Sequence, residues 1–159
     1  MAIDRQKTET VHWHAVFTAS RAEKKVRDRL EELGVECFLP VQTVLRQWTY
    51  RKSRVVVPVI AGLVFVRVGR QEQVKVLQTK GVVAFLRLKG EAGAAVIPDK
   101  QMEDFRFLLD FSEEAVEMTN ENIKAGDLVR VVKGSLRGME GELIRHKGVT
   151  KVLVRIDML

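Results

Sequence analysis

The sequence contains one cysteine, Cys37, in 159 residues, which excludes a disulfide within the chain. Val35, Phe38 and Leu39 surround it, so we expect a buried structural thiol rather than a nucleophile. The apolar runs are all far shorter than the roughly 20 residues that cross a bilayer. The first residues are polar and do not resemble a signal peptide. These absences predict a cytoplasmic protein.

The sequence also lacks the motifs of common catalytic and nucleotide-binding sites. It has no phosphate-binding loop, no dinucleotide-binding turn and no serine-nucleophile elbow. His12 and His14 have the spacing of a metal pair, but no third or fourth ligand is evident, because His146 lies in a different part of the chain. We therefore predict no enzymatic activity, no bound metal and no cofactor.

No carboxylate occurs between Glu36 and Glu72, although this window holds six lysines and arginines. Trp48 and Tyr50 lie among these cations, between two stretches of β-forming residues. Such a basic strand-loop-strand is typical of proteins that bind single-stranded nucleic acid, because cations hold phosphates and bases stack on aromatic rings. A solvated hairpin whose aromatics pack across the strands is the alternative.

The first helix carries further cations at its start, where backbone N–H groups and the helix dipole also favour phosphate. Together with the basic strand-loop-strand, they form the predicted nucleic-acid surface. Its residues are Arg21, Lys24, Lys25, Arg46, Trp48, Arg51, Lys52 and Arg54.

Charge divides the chain along its length. The net charge is +6 with a pI near 9.7, which makes nucleic acid the first partner to consider. Residues 110–122 hold five carboxylates and no cation, and so predict a linker between two basic bodies. We predict an N-terminal tail at 1–10, a first domain at 11–110, an acidic linker at 111–122 and a second domain at 123–159.

The first domain is predicted to be α+β. Residues 11–18 alternate as a strand, and Ser20 and Glu23 form the capping-box pattern of a helix that ends near Gly34. Further strands are expected at 35–45, 53–68 and 82–88, and helices at 71–78 and after Pro98. This order predicts an antiparallel four-stranded sheet flanked by helices.

The tail from residue 123 is predicted to be a small β-barrel. Short β-rich segments at 128–132, 139–144 and 152–156 alternate with glycines. Three strands leave an open edge, so we expect the barrel to be one strand short, either truncated or completed by a neighbouring molecule. A helical tail packed on the first domain is the alternative.

Several segments resemble one known family. Residues 126–141, GDLVRVVKGSLRGMEG, resemble a KOW motif. Residues 13–26 (WHAVFTASRAEKKV), 58–66 (PVIAGLVFV) and 79–86 (TKGVVAFL) resemble the NGN domain of NusG-type transcription elongation factors. Residues 45–52, LRQWTYRK, look most similar to the specialised NusG paralogues that act as antiterminators for polysaccharide operons. The KOW positions are Val129, Gly134, Leu136, Gly138 and Gly141.

The resemblance implies a transcription elongation or antitermination factor. Its NGN domain would bind the clamp helices of bacterial RNA polymerase through an apolar face and approach non-template DNA or nascent RNA with its basic surface. Its SH3-like KOW barrel would recruit a ribosomal protein or a termination factor, and we expect a monomer with no membrane partner. The polymerase contacts carried over by position are Phe17, Ile60, Leu63 and Phe65.

Three alternatives accompany this interpretation. The chain would otherwise be a housekeeping NusG, or a ribosome-associated RNA-binding protein built around KOW. Phe65 would otherwise be a core residue rather than a contact.

The chain departs from the family motif at one of the proposed polymerase contacts. The family commonly has Phe-Pro-Gly-Tyr where this chain has Ile-Ala-Gly-Leu at residues 60–63, so aliphatic side chains replace the aromatic anchors of the polymerase contact.

Overall fold

A computed structural model describes residues 10–111, 116, 124, 126–131, 135–146 and 148–154. The protein divides into two compact units, Met1–Phe38 with Gly62–Val96, and Leu39–Ala61 with Ile97–Leu159. The predicted limits of the two domains and the linker stay a prediction, because most residues around the linker lie outside the described part.

Nine strands and three helices are described. In chain order they are β1 His12–Thr18, α1 Glu23–Glu32, β2 Glu36–Phe38, β3 Val41–Gln47, β4 Lys52–Pro58, β5 Leu63–Val68, α2 Arg70–Gln78, β6 Val82–Phe85, α3 Asp99–Phe111, β7 Asp127–Arg130, β8 Glu140–His146 and β9 Val149–Leu153. None of the helices in the described ranges has the length and apolarity needed to span a membrane.

The first unit is built on a four-stranded sheet in the order β2-β5-β1-β6. Every neighbouring pair is antiparallel, which confirms the predicted antiparallel four-stranded sheet. Along β5 the side chains on both faces are buried, with Phe65 on one face and Val64 and Val66 on the other. Val26 and Leu30 of α1 and Val76 of α2 are also fully buried and complete the core of this unit.

The helix α1 begins later than the capping-box pattern predicts. Ala22 is the N-cap residue and makes no side-chain capping hydrogen bond, so the capping box at Ser20 and Glu23 is wrong. Arg21 has a φ of 58°, in the left-handed region, and therefore cannot continue a helix backwards to Ser20. The carboxylate of Glu23 instead accepts a 2.8 Å hydrogen bond from the backbone N–H of Gly62.

The end of α1 follows the prediction. Gly34 has a φ of 74°, which is easily adopted only without a Cβ atom. The Val35 N–H bonds to the Leu30 carbonyl and the Gly34 N–H bonds to the Glu31 carbonyl, both at 3.0 Å. These two bonds form a Schellman motif, which turns the chain from α1 into β2.

Replacing Glu23 with alanine should destabilise the first unit. Glu23 is 8% exposed, so its loss leaves the Gly62 N–H without its acceptor, at a cost of about 1–3 kcal/mol. Glu23→Gln keeps an acceptor oxygen and should retain most of the stability. The free energy of unfolding from urea titration measures both changes. Wild-type stability in the alanine variant would show that the bond contributes nothing.

Two predicted strands are each interrupted in the structure. Residues 35–45 form β2 and β3 in place of one strand, and 53–68 form β4 and β5. Pro40, which has no N–H to donate to a sheet, lies between β2 and β3. Gly62, with a φ of 73°, lies in the turn before β5. The strands β3 and β4 then pair with each other as a separate two-stranded sheet.

His14 is a buried histidine in the first unit. The residue is only 3% exposed. Its Nδ1 lies 2.9 Å from the Ala95 carbonyl oxygen, so Nδ1 carries the hydrogen and donates this bond. Burial lowers the pKa of His14 below its usual value of 6.5, while the bond to Ala95 opposes that change and the charge of His12 adds to it. The folded state therefore favours the neutral ring.

The stability of the protein should fall as the pH drops below 6.5, because the unfolded chain then binds a proton that folded His14 resists. The loss begins at the ordinary histidine pKa and grows until the pH reaches the lowered pKa of the folded state. A His14→Gln variant, which keeps an N–H donor, should show a flatter dependence between pH 7.5 and 5. Urea titration across this pH range measures the free energy of unfolding of wild type and variant. An equal change with pH in the two proteins would contradict the role of His14.

The second unit contains the β3–β4 hairpin, α3 and a three-stranded antiparallel sheet in the order β7-β8-β9. Met102 and Phe105 are the buried residues of α3, in phase with the predicted apolar stripe. The described part of the tail is β rather than helical, as predicted. Closure of this sheet into an SH3-like barrel stays a prediction, since residues 155–159 lie outside the described residues.

Candidate interaction surfaces

An apolar row crosses three strands at one end of the four-stranded sheet. Phe17 on β1 pairs with Leu63 on β5 and with Ala84 on β6, so the three side chains share a face. We call these residues the Phe17 row. Phe17 is 42% exposed, whereas Leu63 is 3% exposed and Ala84 is half-buried. The row therefore presents one large apolar side chain to solvent.

The other predicted polymerase contacts are less accessible than Phe17. Phe65 is fully buried and stacks on Phe38, with 6.3 Å between the ring centroids. Leu63 is also buried, and Ile60 is half-buried in the second unit. Strand periodicity correctly places Leu63 and Phe65 on one face, but it does not show whether that face is covered. In this conformation both are core residues, and the alternative interpretation of Phe65 fits the structure.

The cations predicted on the first helix are exposed at its start. Lys24 and Lys25 lie in the first turn of α1, and Arg21 precedes the helix with a left-handed backbone. These residues belong to the first unit, whereas the cations of the β3–β4 hairpin belong to the second. That the two groups act together stays a prediction.

The predicted basic strand-loop-strand forms a tight hairpin. Residues 41–58, which we call the basic hairpin, comprise β3, β4 and the turn between them. The Trp48 N–H bonds to the Arg51 carbonyl at 2.7 Å, and the Arg51 N–H bonds to the Trp48 carbonyl at 3.4 Å. Thr49 and Tyr50 thus form a two-residue loop, where Tyr50 is 97% exposed.

Trp48 has a fixed orientation on the basic hairpin. Its indole Nε1–H donates a 2.6 Å hydrogen bond to the Ser53 Oγ, and its side chain remains half-exposed. The ring face is therefore available for contact, while the only polar group of the indole is already bonded within the protein. No sequence pattern predicts this Ser53 contact, since it depends on the register of the hairpin.

The register distributes the cations over both faces of the basic hairpin. Leu45 pairs with Arg54 and Gln47 with Lys52, so Arg54 and Lys52 share one face. Arg46 pairs with Ser53 on the opposite face, which Trp48 and Arg51 extend toward the turn. All four cations are exposed. Among the described residues, ion pairs form elsewhere, at Arg27–Asp28, Arg67–Glu36, Lys100–Asp104 and Arg130–Glu140.

The predicted KOW positions lie around the start of the three-stranded sheet. Val129 on β7 pairs with Gly141 on β8, and Leu136 and Gly138 lie in the turn between these strands. A Cβ atom on Gly141 would lie 2.6 Å from Val152 Cγ1 and 2.9 Å from the Leu153 carbonyl oxygen, so a side chain at residue 141 would force β9 to shift. Gly134 lies outside the described residues.

A shallow cleft that sequence reasoning missed lies between α1 and α2. It measures about 370 Å³ and is lined by Arg29, Glu32, Leu33, Lys75, Gln78 and Thr79. Nη1 of Arg29 donates a hydrogen bond to the Lys80 carbonyl at 2.7 Å. This bond holds the Arg29 guanidinium against the backbone at the wall of the cleft. The cleft joins residues from two helices that no sequence motif connects.

The described residues offer little for covalent or metal chemistry. Burial raises the pKa of the Cys37 thiol to about 11, and the charges of Glu31, Asp28 and Glu36 add to this effect while Arg27 opposes it. A thiol that is protonated at neutral pH is a poor nucleophile. Within the described ranges, no group of three or more histidines, cysteines or carboxylates is placed to hold a metal ion.

Comparison with known proteins gives a match to one family model and similarities to solved structures. Residues 11–106 match the family described as "Transcription termination factor nusG". Among solved structures, the chain is similar to one of Thermotoga maritima NusG, titled for its domain interaction. The match has 22% sequence identity and a TM-score of 0.49, and covers 92% of this chain and 88% of that chain. No curated protein matches the sequence.

Proposed function

Because the chain belongs to the NusG family, whose match spans residues 11–106, we propose that it is a transcription factor that binds elongating RNA polymerase. It suppresses pausing or termination, and no catalytic group is required for that activity. A factor that binds the elongating conformation more tightly than the paused one shifts the equilibrium between them by its difference in affinity.

The exposed ring of Phe17 is the observation that carries the polymerase assignment. Phe17 is the exposed member of the Phe17 row and lies on β1. The large apolar side chains of the neighbouring strand β5 are buried. Full burial of a phenylalanine contributes roughly 1.5–3 kcal/mol, and part of this remains available because Phe17 is 42% exposed. The clamp helices of bacterial RNA polymerase are the proposed partner of this row.

The cationic groups support binding to the nucleic acid of the transcription complex. The basic hairpin and the start of α1 carry exposed lysines and arginines. Non-template DNA and nascent RNA are the ligands proposed from the sequence. For the three-stranded sheet we propose the role of a KOW domain that recruits a ribosomal protein or a termination factor.

Within the family, we propose a specialised paralogue that acts on particular operons in the cytoplasm as a monomer. The basis is the similarity of residues 45–52 to the antiterminators of polysaccharide operons. Mapping of the factor along the genome by crosslinking distinguishes this proposal from a housekeeping NusG. Occupancy at a few operons is expected, whereas occupancy at most transcribed genes would contradict the specialised role.

Replacing Phe17 with aspartate should weaken binding to core RNA polymerase by about tenfold or more, because it removes the apolar contact and buries a charge at the interface. Val96→Asp is the matched control, since Val96 is also 42% exposed and lies outside the Phe17 row. Binding of purified variants to immobilised polymerase measures the effect, and circular dichroism verifies folding.

Equal binding by folded wild-type and Phe17→Asp proteins would contradict the polymerase contact. Cosedimentation with ribosomal subunits, with no binding to polymerase, would replace the whole proposal by the ribosome-associated alternative.

A further inference from the structure

We propose that the basic hairpin inserts into the major groove of double-stranded DNA. This inference rests on the proposed function in taking nucleic acid as the ligand of the hairpin. It deepens that function by naming the ligand as a duplex rather than the single strand that the sequence pattern suggested.

The cations on both faces of the ribbon carry the argument. Lys52 and Arg54 lie on one face, and Arg46 and Arg51 lie on the other. A single strand that follows one face of a two-stranded ribbon meets only one of these pairs. A groove of a duplex has a phosphate backbone along each wall, so a ribbon inside it presents one pair to each backbone.

The dimensions of the ribbon suit the major groove. With one face toward each wall, the ribbon spans the groove by its thickness, which is about 10 Å including side chains. The major groove of B-DNA is about 12 Å wide and admits a two-stranded β-ribbon. Arg46 and Lys52 lie within three residues of the loop, or about 10 Å along the strands. This distance is comparable with the groove depth of about 8.5 Å, so Arg46 and Lys52, one on each face, lie near the groove rims when the loop reaches its floor.

The loop carries side chains that suit a groove floor. Tyr50 is 97% exposed and lies with Thr49 at the outermost point of the hairpin. Aromatic rings and the threonine methyl group can make apolar contacts with thymine methyls, which face the major groove. Trp48 remains on one face with its N–H bonded to Ser53, where it contacts the sugar-phosphate wall rather than an unpaired base.

Competition binding with the full chain tests the proposal. The probes are a 20-base-pair DNA duplex, one of its single strands and an RNA duplex of the same sequence. Wild type is compared with a variant in which four cations are replaced by glutamine, namely Arg46, Arg51, Lys52 and Arg54. The difference between their slopes of log affinity against log salt concentration is the contribution of the hairpin. It should be about 3.6 for the DNA duplex, since four phosphates are contacted. For the single strand it should be about 1.4, because only two are contacted.

Two paired variants locate the contacts on the two faces. Lys52→Gln with Arg54→Gln, and Arg46→Gln with Arg51→Gln, should each reduce the duplex slope by about 1.8. Dimethyl sulfate footprinting gives an independent view of the groove, because guanine N7 faces the major groove. Bound protein should protect guanine N7, and the quadruple variant should not.

Four results would overturn the proposal. These are tighter binding to the single strand, tighter binding to the RNA duplex, a slope that depends on one face only, and unprotected guanine N7. A Trp48→Ala loss of about tenfold or more on the single strand would identify base stacking as the mode of binding instead. Polymerase binding through Phe17 is measured without DNA, so failure of the proposed function is seen separately from failure of this inference.

Discussion

Replacement of Phe65 with alanine should lower the free energy of unfolding by about 3–5 kcal/mol, the range for truncating a large buried aromatic residue. Phe65 is fully buried on the central strand β5 and stacks on Phe38. Domains of this size are stable by about 5–15 kcal/mol in total, so the variant should unfold at a much lower denaturant concentration. Guanidinium titration followed by circular dichroism measures the loss.

Phe17→Ala is the matched control for this prediction. It removes the same side chain from a position on the neighbouring strand β1 that is 42% exposed, and should cost less than about 1.5 kcal/mol. Equal losses at the two positions would contradict the burial assigned to Phe65. The two variants also help to interpret binding data. Loss of polymerase binding in a Phe65 variant would result from loss of folding and would not identify a contact.

Neutralising the basic hairpin should reduce affinity for a DNA duplex by about 100-fold or more at 0.1 M salt, because each phosphate contact contributes nearly one unit to the salt slope. The variant has Arg46, Arg51, Lys52 and Arg54 replaced by glutamine. A control with the same change in charge replaces four cations that are exposed in the first unit, namely Arg70, Lys75, Arg87 and Lys89.

Fluorescence anisotropy across a salt series measures both variants. The control should keep most of the wild-type affinity, because its cations are outside the hairpin and outside the start of α1. Equal losses in the two variants would show that net charge alone determines binding. An unchanged affinity in the hairpin variant would return the basic hairpin to the alternative of a solvated surface.

The sequence predicted the elements of the first unit better than their limits. The alternation in residues 11–18 and the glycine at position 34 reflect local geometry, and both are confirmed by β1 and by the Schellman motif. The capping box failed because Glu23 bonds to Gly62, a partner far away in the sequence. The interruption between β2 and β3 was missed because a run of β-forming residues does not show where one sheet ends and another begins.

The candidate sites were predicted in composition but not in arrangement. The absence of carboxylates in residues 37–71 identified the basic hairpin, yet only the register shows that Arg46 and Arg54 lie on opposite faces. Similarly, periodicity placed Leu63 and Phe65 on one face, but only the pairing of β1 with β5 adds Phe17 to that face. Burial then separates the exposed Phe17 from the other two. Which face of a strand is covered depends on packing that local sequence does not encode.

Single-round transcription by purified RNA polymerase through a strong pause site tests the central claim most directly. With a saturating amount of the wild-type chain, the paused complex should disappear faster than without it, and Phe17→Asp should abolish this effect while Val96→Asp preserves it. A pause of unchanged or longer duration in the presence of wild-type protein that binds the polymerase would contradict the account.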